Sequence, residues 1–217
     1  MTIKIVLADD HGILRAGLQI LLAAQADLTV VGEAANGRMA VQEVIRLQPD
    51  IAVLDIAMPE LNGIEATRRI HEAWPATQVI ILSMHASRDH VYHALQAGAR
   101  GYILKEAAAD ELTEAIHTVY AGRRYLSAKV TDELLDDYLQ QRAPAEKDDV
   151  LAQLSSRERE VLQLVVEGQS SVTIAETLSL SPKTVDSYRS RLRQKLGFAD
   201  LPSLVRFAIQ QGIIAVE

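Results

Sequence analysis

Short apolar runs alternate with amphipathic segments through the first 120 residues of the chain. The runs are rich in aliphatic residues and end at polar ones, which predicts buried strands over residues 3–8, 28–33, 51–55, 78–83 and 101–104. The segments between them carry apolar residues three and four positions apart, which predicts helices over residues 13–24, 37–47, 63–74, 90–97 and 110–121. Five strand–helix units in series predict an α/β fold with a doubly wound parallel sheet.

Polar side chains follow four of these predicted strands. The central run ends at a single carboxylate, Asp55, and the first run leads directly into Asp9 and Asp10. The fourth run ends in Ser83, and Lys105 follows the fifth. Because the carboxyl ends of parallel strands meet at one edge of a sheet, we expect these side chains to lie close together. Taken alone, Asp55 could equally be a strand-ending aspartate that only opens a turn.

Three carboxylates at one sheet edge repel each other, which favours a bound cation. Carboxylate oxygens suit Mg²⁺, which also keeps water and phosphate oxygens among its ligands. In such a site Asp55 can attack phosphorus as a nucleophile, while Lys105 and Ser83 bind the remaining phosphoryl oxygens. These residues therefore predict a magnesium-dependent acceptor site for a phosphoryl group.

Composition narrows the class of protein. The chain has 217 residues, enough for one large or two small domains, and 48% of them are hydrophobic although only 4% are aromatic. The absence of cysteine excludes a disulfide scaffold and a thiolate metal site. No basic segment followed by a long apolar stretch opens the chain, and no run approaches the length of a membrane span. We therefore expect a soluble cytoplasmic protein without a membrane partner.

The pattern changes after the fifth unit. An amphipathic helix is predicted over residues 129–141, and residues 142–149 have the polar, proline-containing composition of a linker. Beyond them only helices are predicted: one capped by Ser155 or Ser156 and ended by Gly168, and others over residues 171–178, 182–196 and 201–211. Two helices joined by a short turn form a helix-turn-helix pattern in a second, all-α domain. The predicted divisions are residues 1–124, a linker with a helix over 125–150, and residues 151–217.

Charge is distributed unevenly along the chain, whose net charge is −7. Residues 1–150 carry 14 basic and 22 acidic side chains, whereas residues 151–217 carry 8 and 7. Between Lys183 and Lys195 there are five basic residues and one acidic residue, Asp186. Clustered cations on one helix are typical of phosphate contact, although a solvated helix face has the same composition.

The residues at this predicted edge of the sheet resemble those of a known family. Asp9 and Asp10, Asp55 with Met58-Pro59 and Gly63 after it, Ser83 and Lys105 resemble, in order and spacing, the receiver domain of two-component response regulators. The resemblance covers about the first 120 residues and implies a flavodoxin-like sheet with strand order 2-1-3-4-5. It implies that a sensor histidine kinase phosphorylates Asp55, and that Asp9, Asp10, Asp55 and the backbone carbonyl of Ala57 bind Mg²⁺. It also implies that Ser83, Tyr102 and Lys105 act as the switch hydroxyl, the switch aromatic and the phosphate-sensing lysine.

The C-terminal helices carry a second resemblance. Leu154–Leu162, Ile174-Ala175, Leu180-Ser181, Lys183–Val185 and Lys195–Gly197 resemble the LuxR-type helix-turn-helix, and the two regions together resemble the NarL/FixJ class of response regulators. That class implies binding to double-stranded promoter DNA, with pairing of two chains when the protein is phosphorylated or DNA-bound. The sequence departs from the pattern at Ser171, Val172, Thr173, Asp186 and Tyr188, departures that leave the fold intact but bear on which operator sequence is bound.

The predicted helix 182–196 supplies the expected DNA contacts. With its N-terminus in the major groove, base-facing residues are expected to be Lys183, Asp186, Ser187, Ser190 and Arg191. Phosphate contacts are expected from Thr184, Arg189, Arg193 and Lys195. Asp186 is expected either to accept from a cytosine amino group or to brace a neighbouring arginine. Asp186→Ala should then change which sequences bind, whereas Lys195→Ala should weaken all sequences similarly.

Four further side chains have competing interpretations. Tyr102 is either an ordinary buried strand aromatic or a ring that moves inward with Ser83. His90 and His93 lie three residues apart on a predicted helix, but a solvated or partner-facing surface is favoured over a metal pair. His11 is expected to open a helix rather than to donate a phosphoryl group.

Two other functions are open at this stage. One is a constitutive DNA-binding regulator whose receiver domain is only structural. The other is an aspartyl-phosphate phosphotransferase or phosphatase, although Asp55-Ile56-Ala57 has no second acid that could serve as a general acid. The favoured interpretation is a transcription regulator that is not an enzyme beyond its own phosphorylation and dephosphorylation.

Overall fold

A computed structural model of the chain describes residues 2–140, 151, 153–198, 200–211 and 213–214. The chain divides into two compact units, Met1–Arg142 and Ala143–Glu217. The predicted linker, residues 142–149, lies outside the described residues.

The first unit is built on one parallel sheet. Its strands are β1 (Ile3–Ala8), β2 (Leu28–Ala34), β3 (Ile51–Asp55), β4 (Gln78–Ser83), β5 (Gly101–Leu104) and β6 (Tyr125–Leu126). Its helices are α1 (Gly12–Ala23), α2 (Gly37–Leu47), α3 (Gly63–Ala73), α4 (Arg88–Gln96), α5 (Ala108–Tyr120) and α6 (Ala128–Gln140). The strand order is β2-β1-β3-β4-β5-β6. The order 2-1-3-4-5 and the doubly wound α/β class are therefore confirmed, and β6 is a sixth strand that the sequence pattern did not predict.

Alternate side chains of the strands pack on opposite faces of this sheet. Val6 and Leu54 belong to a core on one face with residues of α2, α3 and α4, whereas Ile5 and Val53 belong to a core on the other face with residues of α1 and α5. Every residue of β3 is buried. A strand covered on both faces has no polar side, which explains the continuous apolar run in its sequence.

A close backbone approach fixes the loop after β3. The side chain of Asn62 accepts a hydrogen bond from the Glu65 backbone N–H at 2.8 Å and so caps α3. A Cβ atom on Gly63 would lie 2.0 Å from the backbone oxygen of Asp55. Only glycine permits this approach, so the Gly63 of the sequence motif holds the start of α3 against the end of β3.

The strand β6 and helix α6 extend the first unit beyond the five predicted strand–helix pairs. Hydrogen bonds of 3.0 Å run from the Tyr125 N–H to the Arg100 carbonyl and from the Ser127 N–H to the Tyr102 carbonyl. Val130 of α6 is fully buried in the same core as Tyr102. The segment that leaves the sheet therefore packs on α4 and β5.

The second unit consists of α7 (Ser156–Val166), α8 (Ser171–Leu178), α9 (Pro182–Leu196) and α10 (Leu201–Gln210) in its described residues. Ser155 and Glu158 form a reciprocal capping box at the start of α7. Ser181 caps α9 and Pro182 occupies its first turn. The buried residues of α9 are Val185, Leu192 and Leu196, and Tyr188 is partly buried against the same core. The predicted second, all-helical unit is confirmed.

No described helix combines the length and apolar character that crossing a membrane requires.

Candidate functional site

The predicted acidic residues meet at one edge of the sheet. Ala8 lies opposite Leu54 across the β1–β3 pair, so Asp9 and Asp55 leave neighbouring strands at the same level. Ser83 ends β4 opposite Leu104, one position beyond the residue that faces Asp55. The parallel register therefore brings together side chains that are far apart in sequence.

Lys105 connects two of the buried carboxylates. Its Nζ atom lies 2.9 Å from Asp9 Oδ2 and 2.8 Å from Asp55 Oδ2. The Lys105 side chain is only 6% exposed and each of the two carboxylates 2%. These are charge-assisted contacts in a site that excludes most water, where they are stronger than on the surface.

The pKa values of this pair reflect burial opposed by charge. Burial raises the pKa of the Asp55 carboxyl above its ordinary value; the Lys105 ammonium opposes this and the Asp9 carboxylate adds to it. Burial alone would lower the pKa of Lys105, but Asp55 and Asp9 outweigh it and the pKa of the ammonium is raised. Lys105 is therefore charged at neutral pH.

Asp10 and His11 complete the acidic cluster. His11 Nδ1 lies 3.2 Å from Asp9 Oδ1 and 2.9 Å from Asp10 Oδ1. One ligand atom from each of Asp9, Asp10, His11 and Asp55 can be chosen so that all lie within 4.8 Å of one another. Carboxylate oxygens at this spacing are suitable ligands for a hard divalent cation. Ala57, the fourth predicted ligand residue, is half-buried, and its backbone N–H is hydrogen-bonded to the Asp55 carboxylate.

His11 has a larger part in this cluster than its sequence position indicated. It is the N-cap residue of α1, as expected, and its carbonyl accepts from the Arg15 N–H at 3.0 Å. Its ring, however, also lies against both acids. Two acids followed directly by a histidine were the available signal for this contact.

Ser83 and Tyr102 meet at one backbone carbonyl. The carbonyl of His85 accepts from Ser83 Oγ at 2.9 Å and from the Tyr102 hydroxyl at 2.7 Å. Tyr102 is fully buried, and burial raises the pKa of its phenol. The side chains predicted as switch hydroxyl and switch aromatic are thus joined through the loop between β4 and α4.

His90 is not on the solvated surface that the sequence analysis favoured. It is 6% exposed, and neither of its ring nitrogens has a hydrogen-bond partner. Its ring centroid lies 6.4 Å from that of His85. The expectation is therefore wrong for His90, because α4 turns this residue toward the core beside Val91 and Ala94. His93 is half-buried, and its ring lies edge-on to Tyr92.

The predicted DNA-contact residues all lie on α9, where they differ in exposure. Exposed side chains are Lys183, Asp186, Ser187, Ser190, Arg191, Arg193 and Lys195, whereas Thr184 and Arg189 are partly buried. A helix with one buried face and a largely basic exposed face can lie against a polyanion.

Several of these side chains also hold the second unit together. Lys195 Nζ lies 2.7 Å from a carboxylate oxygen of Glu158 and donates to the Gln153 carbonyl at 3.0 Å. Arg189 donates to the Gln169 carbonyl at 2.8 Å. Loss of either cation would therefore alter folding energetics as well as charge.

Asp186 contacts a hydroxyl rather than an arginine. Its Oδ1 accepts from Ser171 Oγ at 2.8 Å, and Ser171 is the first residue of α8. Both positions depart from the LuxR-type pattern, but sequence reasoning did not connect them. The two residues are 15 positions apart in sequence, and the packing of α8 on α9 brings them together.

Comparison with known proteins supports the family resemblance of both regions of the chain. The family model of the response regulator receiver domain matches residues 5–117, and the model of the LuxR family of bacterial regulatory proteins matches residues 152–208. The oxygen regulatory protein NreC of Staphylococcus carnosus is 37% identical over 214 residues, which cover 97% of this chain and 99% of that protein.

Solved structures give the same result. The crystal structure of the response regulator ChrA, from a heme-sensing two-component system, is 33% identical with a TM-score of 0.54 and covers 98% of this chain and 99% of its own. The response regulator RcsB, solved in complex with DNA, is 25% identical with a TM-score of 0.59 and coverages of 97% and 99%. The chain belongs to the response regulators of the NarL/FixJ class, in which a receiver domain is joined to a LuxR-type DNA-binding domain.

Proposed function

We propose that this response regulator accepts a phosphoryl group on Asp55 from a sensor histidine kinase and then binds promoter DNA with higher affinity. The observation that carries this proposal is the buried contact of Lys105 with Asp55 and Asp9, at 2.8 and 2.9 Å. It leaves a carboxylate nucleophile beside a fixed cation at the open edge of a parallel sheet. The acceptor residues belong to the proposed receiver domain, residues 1–124, and the DNA contacts to residues 151–217, with residues 125–150 connecting them.

The transfer forms one bond and breaks one. A carboxylate oxygen of Asp55 attacks phosphorus, and the bond between phosphorus and the donor's nitrogen breaks as the imidazole leaves. Asp9, Asp10, Asp55 and the Ala57 carbonyl would hold Mg²⁺, which would supply positive charge that offsets the phosphoryl oxygens. Lys105 supplies the fixed positive charge opposite, and the Ser83 hydroxyl donates to a phosphoryl oxygen.

The switch begins when Ser83 changes partner. Its hydroxyl donates to the His85 carbonyl in the present structure, where Tyr102 also donates. Once Ser83 donates to the phosphoryl group instead, the His85 carbonyl loses one of its two side-chain donors, and the loop moves together with the Tyr102 ring. The bistable element is then the surface formed by α4 and β5.

DNA binding is assigned to α9. Its basic residues contact phosphates, and the exposed residues of its N-terminal half reach base edges in the major groove. Pairing of two chains accompanies phosphorylation or DNA binding; the exposed Leu201 and the partly buried Leu204 and Val205 of α10 support an interface there. Because its proposed ligand is promoter DNA, we infer that the protein acts in the cytoplasm.

Phosphorylation is tested directly with acetyl phosphate and Mg²⁺. The wild-type chain should shift to a slower band on a phosphate-binding gel, and omission of Mg²⁺ should abolish the shift. Asp55→Asn keeps the shape of the side chain but removes the nucleophilic oxygen, so it should give no slower band. A modified Asp55→Asn protein would refute the assignment of the acceptor. Many turnovers of phosphate release from an external substrate would instead indicate a phosphatase.

A further inference from the structure

One acid interrupts the basic surface of α9. Asp186 is the single acidic residue among the fifteen of this helix, which carries five lysines and arginines. It is exposed, and it lies near the N-terminal end of the helix. A carboxylate on a surface that approaches phosphates is repelled by them, so at this position it lowers non-specific affinity.

The structure shows what holds this carboxylate. Asp186 Oδ1 accepts a hydrogen bond of 2.8 Å from Ser171 Oγ, which joins the first residue of α8 to the fifth residue of α9. Among the described residues no lysine or arginine forms an ion pair with it. The carboxylate is therefore oriented by a neutral donor, and its full negative charge stays on the exposed surface.

The remaining lone pairs of Asp186 set its chemistry toward a base. An ionised carboxylate only accepts hydrogen bonds. In the major groove, guanine presents two acceptors, and thymine an acceptor and a methyl group. Adenine pairs its amino donor with the N7 acceptor, an edge that fits an amide better than a carboxylate. The cytosine amino group is the donor that fits, so the repulsion from phosphates is offset only where a cytosine faces Asp186.

We propose that Ser171 and Asp186 form a base-reading pair that makes this chain prefer a cytosine at one position of its DNA site. Asp186 makes the contact with the base, and Ser171 is a positioning residue that restricts the carboxylate to one orientation. This inference rests on the proposed function, since it requires that α9 enters the major groove. It goes further by naming the base and by assigning a role to the hydroxyl of Ser171.

The experiment is a selection from a random duplex library with the full chain treated with acetyl phosphate and Mg²⁺. Wild type should enrich cytosine about tenfold over the other bases at one position. Asp186→Ala should remove that preference to within about twofold while all other positions keep theirs. Asp186→Asn should move the preference at that position to adenine, because an amide both accepts and donates.

The hydroxyl is tested separately. Ser171→Ala should weaken the cytosine preference at the same position, by about threefold, and leave the rest of the site unchanged. Thr177→Ala is the matched control, because Thr177 lies on the same helix and its hydroxyl donates to the Thr173 carbonyl of that helix. It should keep the wild-type preference.

The outcomes separate this inference from the proposed function. An enriched site that Asp186→Ala leaves unchanged at every position would overturn the base-reading pair alone. Uniform loss of enrichment in Asp186→Ala would also overturn it, because a structural residue weakens all sequences alike. If wild type enriches no sequence, DNA binding itself fails and the inference fails with it.

Discussion

Lys105 places one positive charge against two buried carboxylates, so its removal exposes the cost of the acidic site. Lys105→Met keeps most of the side-chain length but removes the ammonium that contacts both Asp9 and Asp55. We expect the free energy of unfolding of the first unit to fall by about 3 kcal/mol in buffer without divalent cations. Added Mg²⁺ should recover part of that loss. Denaturation followed by the fluorescence of Trp74, the only tryptophan, measures both effects.

A surface pair provides the control for Lys105. Lys129 Nζ lies 3.0 Å from a carboxylate oxygen of Glu106, but the two side chains are 62% and 67% exposed. Lys129→Met should therefore cost far less stability than Lys105→Met, because solvent screens the exposed pair, and it should show no response to Mg²⁺. Equal losses in the two variants would show that Lys105 does not stabilise the buried acids.

His90 predicts a dependence of stability on pH. Burial, with a smaller contribution from His85, lowers the pKa of His90 from 6.5 to about 4, while Asp89 acts in the opposite direction and His93 in the same one. Because the folded pKa lies below the unfolded one, the neutral imidazole is favoured in the fold. The contribution of His90 to the free energy of unfolding is then constant above pH 6.5. It declines as the pH falls toward 4, by about 3 kcal/mol in total.

His90→Leu should remove this part of the pH dependence and also the cost of two unpartnered ring nitrogens. The difference in free energy of unfolding between His90→Leu and wild type, measured with Trp74 fluorescence, should grow steadily in favour of the variant as the pH falls from 6.5 to 4. His93→Leu, on the same helix but half-buried, should keep the wild-type slope. A constant difference between His90→Leu and wild type over this range would contradict the account.

At the scale of single residues, the acidic site was predictable and the contacts of the histidines were not. The carboxyl ends of parallel strands lie at the same edge of a sheet, so residues at those ends are close together. Asp9, Asp55 and Lys105 could therefore be grouped from sequence alone. Burial of His90 depends on the rotation of α4 against the sheet. A single histidine on a helix gives no periodic signal of that rotation.

At the scale of elements, long periodic segments were predictable and short ones were not. The strands β4 and β5 have the predicted bounds, whereas α4 begins at Arg88, two residues before the expected start, because Ser87 caps it. β6 has two residues, too few to show any alternation. It is fixed by backbone hydrogen bonds to Arg100 and Tyr102, which no sequence pattern records.

The attachment of α6 to the receiver core is testable with one pair of variants. Val130 is fully buried in the core that includes Tyr102, whereas Leu135 on the same helix is 53% exposed. Val130→Ala should lower the free energy of unfolding of the first unit by about 2 kcal/mol. Leu135→Ala should change it by less than about 0.5 kcal/mol, and a larger cost for Leu135 than for Val130 would show that the other face of α6 is attached.

At the scale of the whole molecule, the regions assigned to phosphorylation and to DNA binding carry opposite charge. Residues 1–150 have a net charge of −8, which suits a cation-dependent acceptor site, while α9 alone has +4. Net negative charge repels DNA phosphates, so the proposed function assigns DNA binding to the small basic surface of α9. Under that proposal, a modest change in how α9 meets DNA is enough to alter affinity. A coupling of 1–3 kcal/mol, typical of linked sites, changes affinity by about 5- to 150-fold.

The central claim is that a phosphoryl group on Asp55 raises affinity for DNA. It is tested by titrating one labelled duplex with the full chain before and after treatment with acetyl phosphate and Mg²⁺, at a fixed salt concentration. Wild type should bind at least about tenfold more tightly after treatment, whereas Asp55→Asn should bind equally before and after. Equal affinity of wild type in both states would contradict the account and indicate a constitutive regulator with a structural receiver domain.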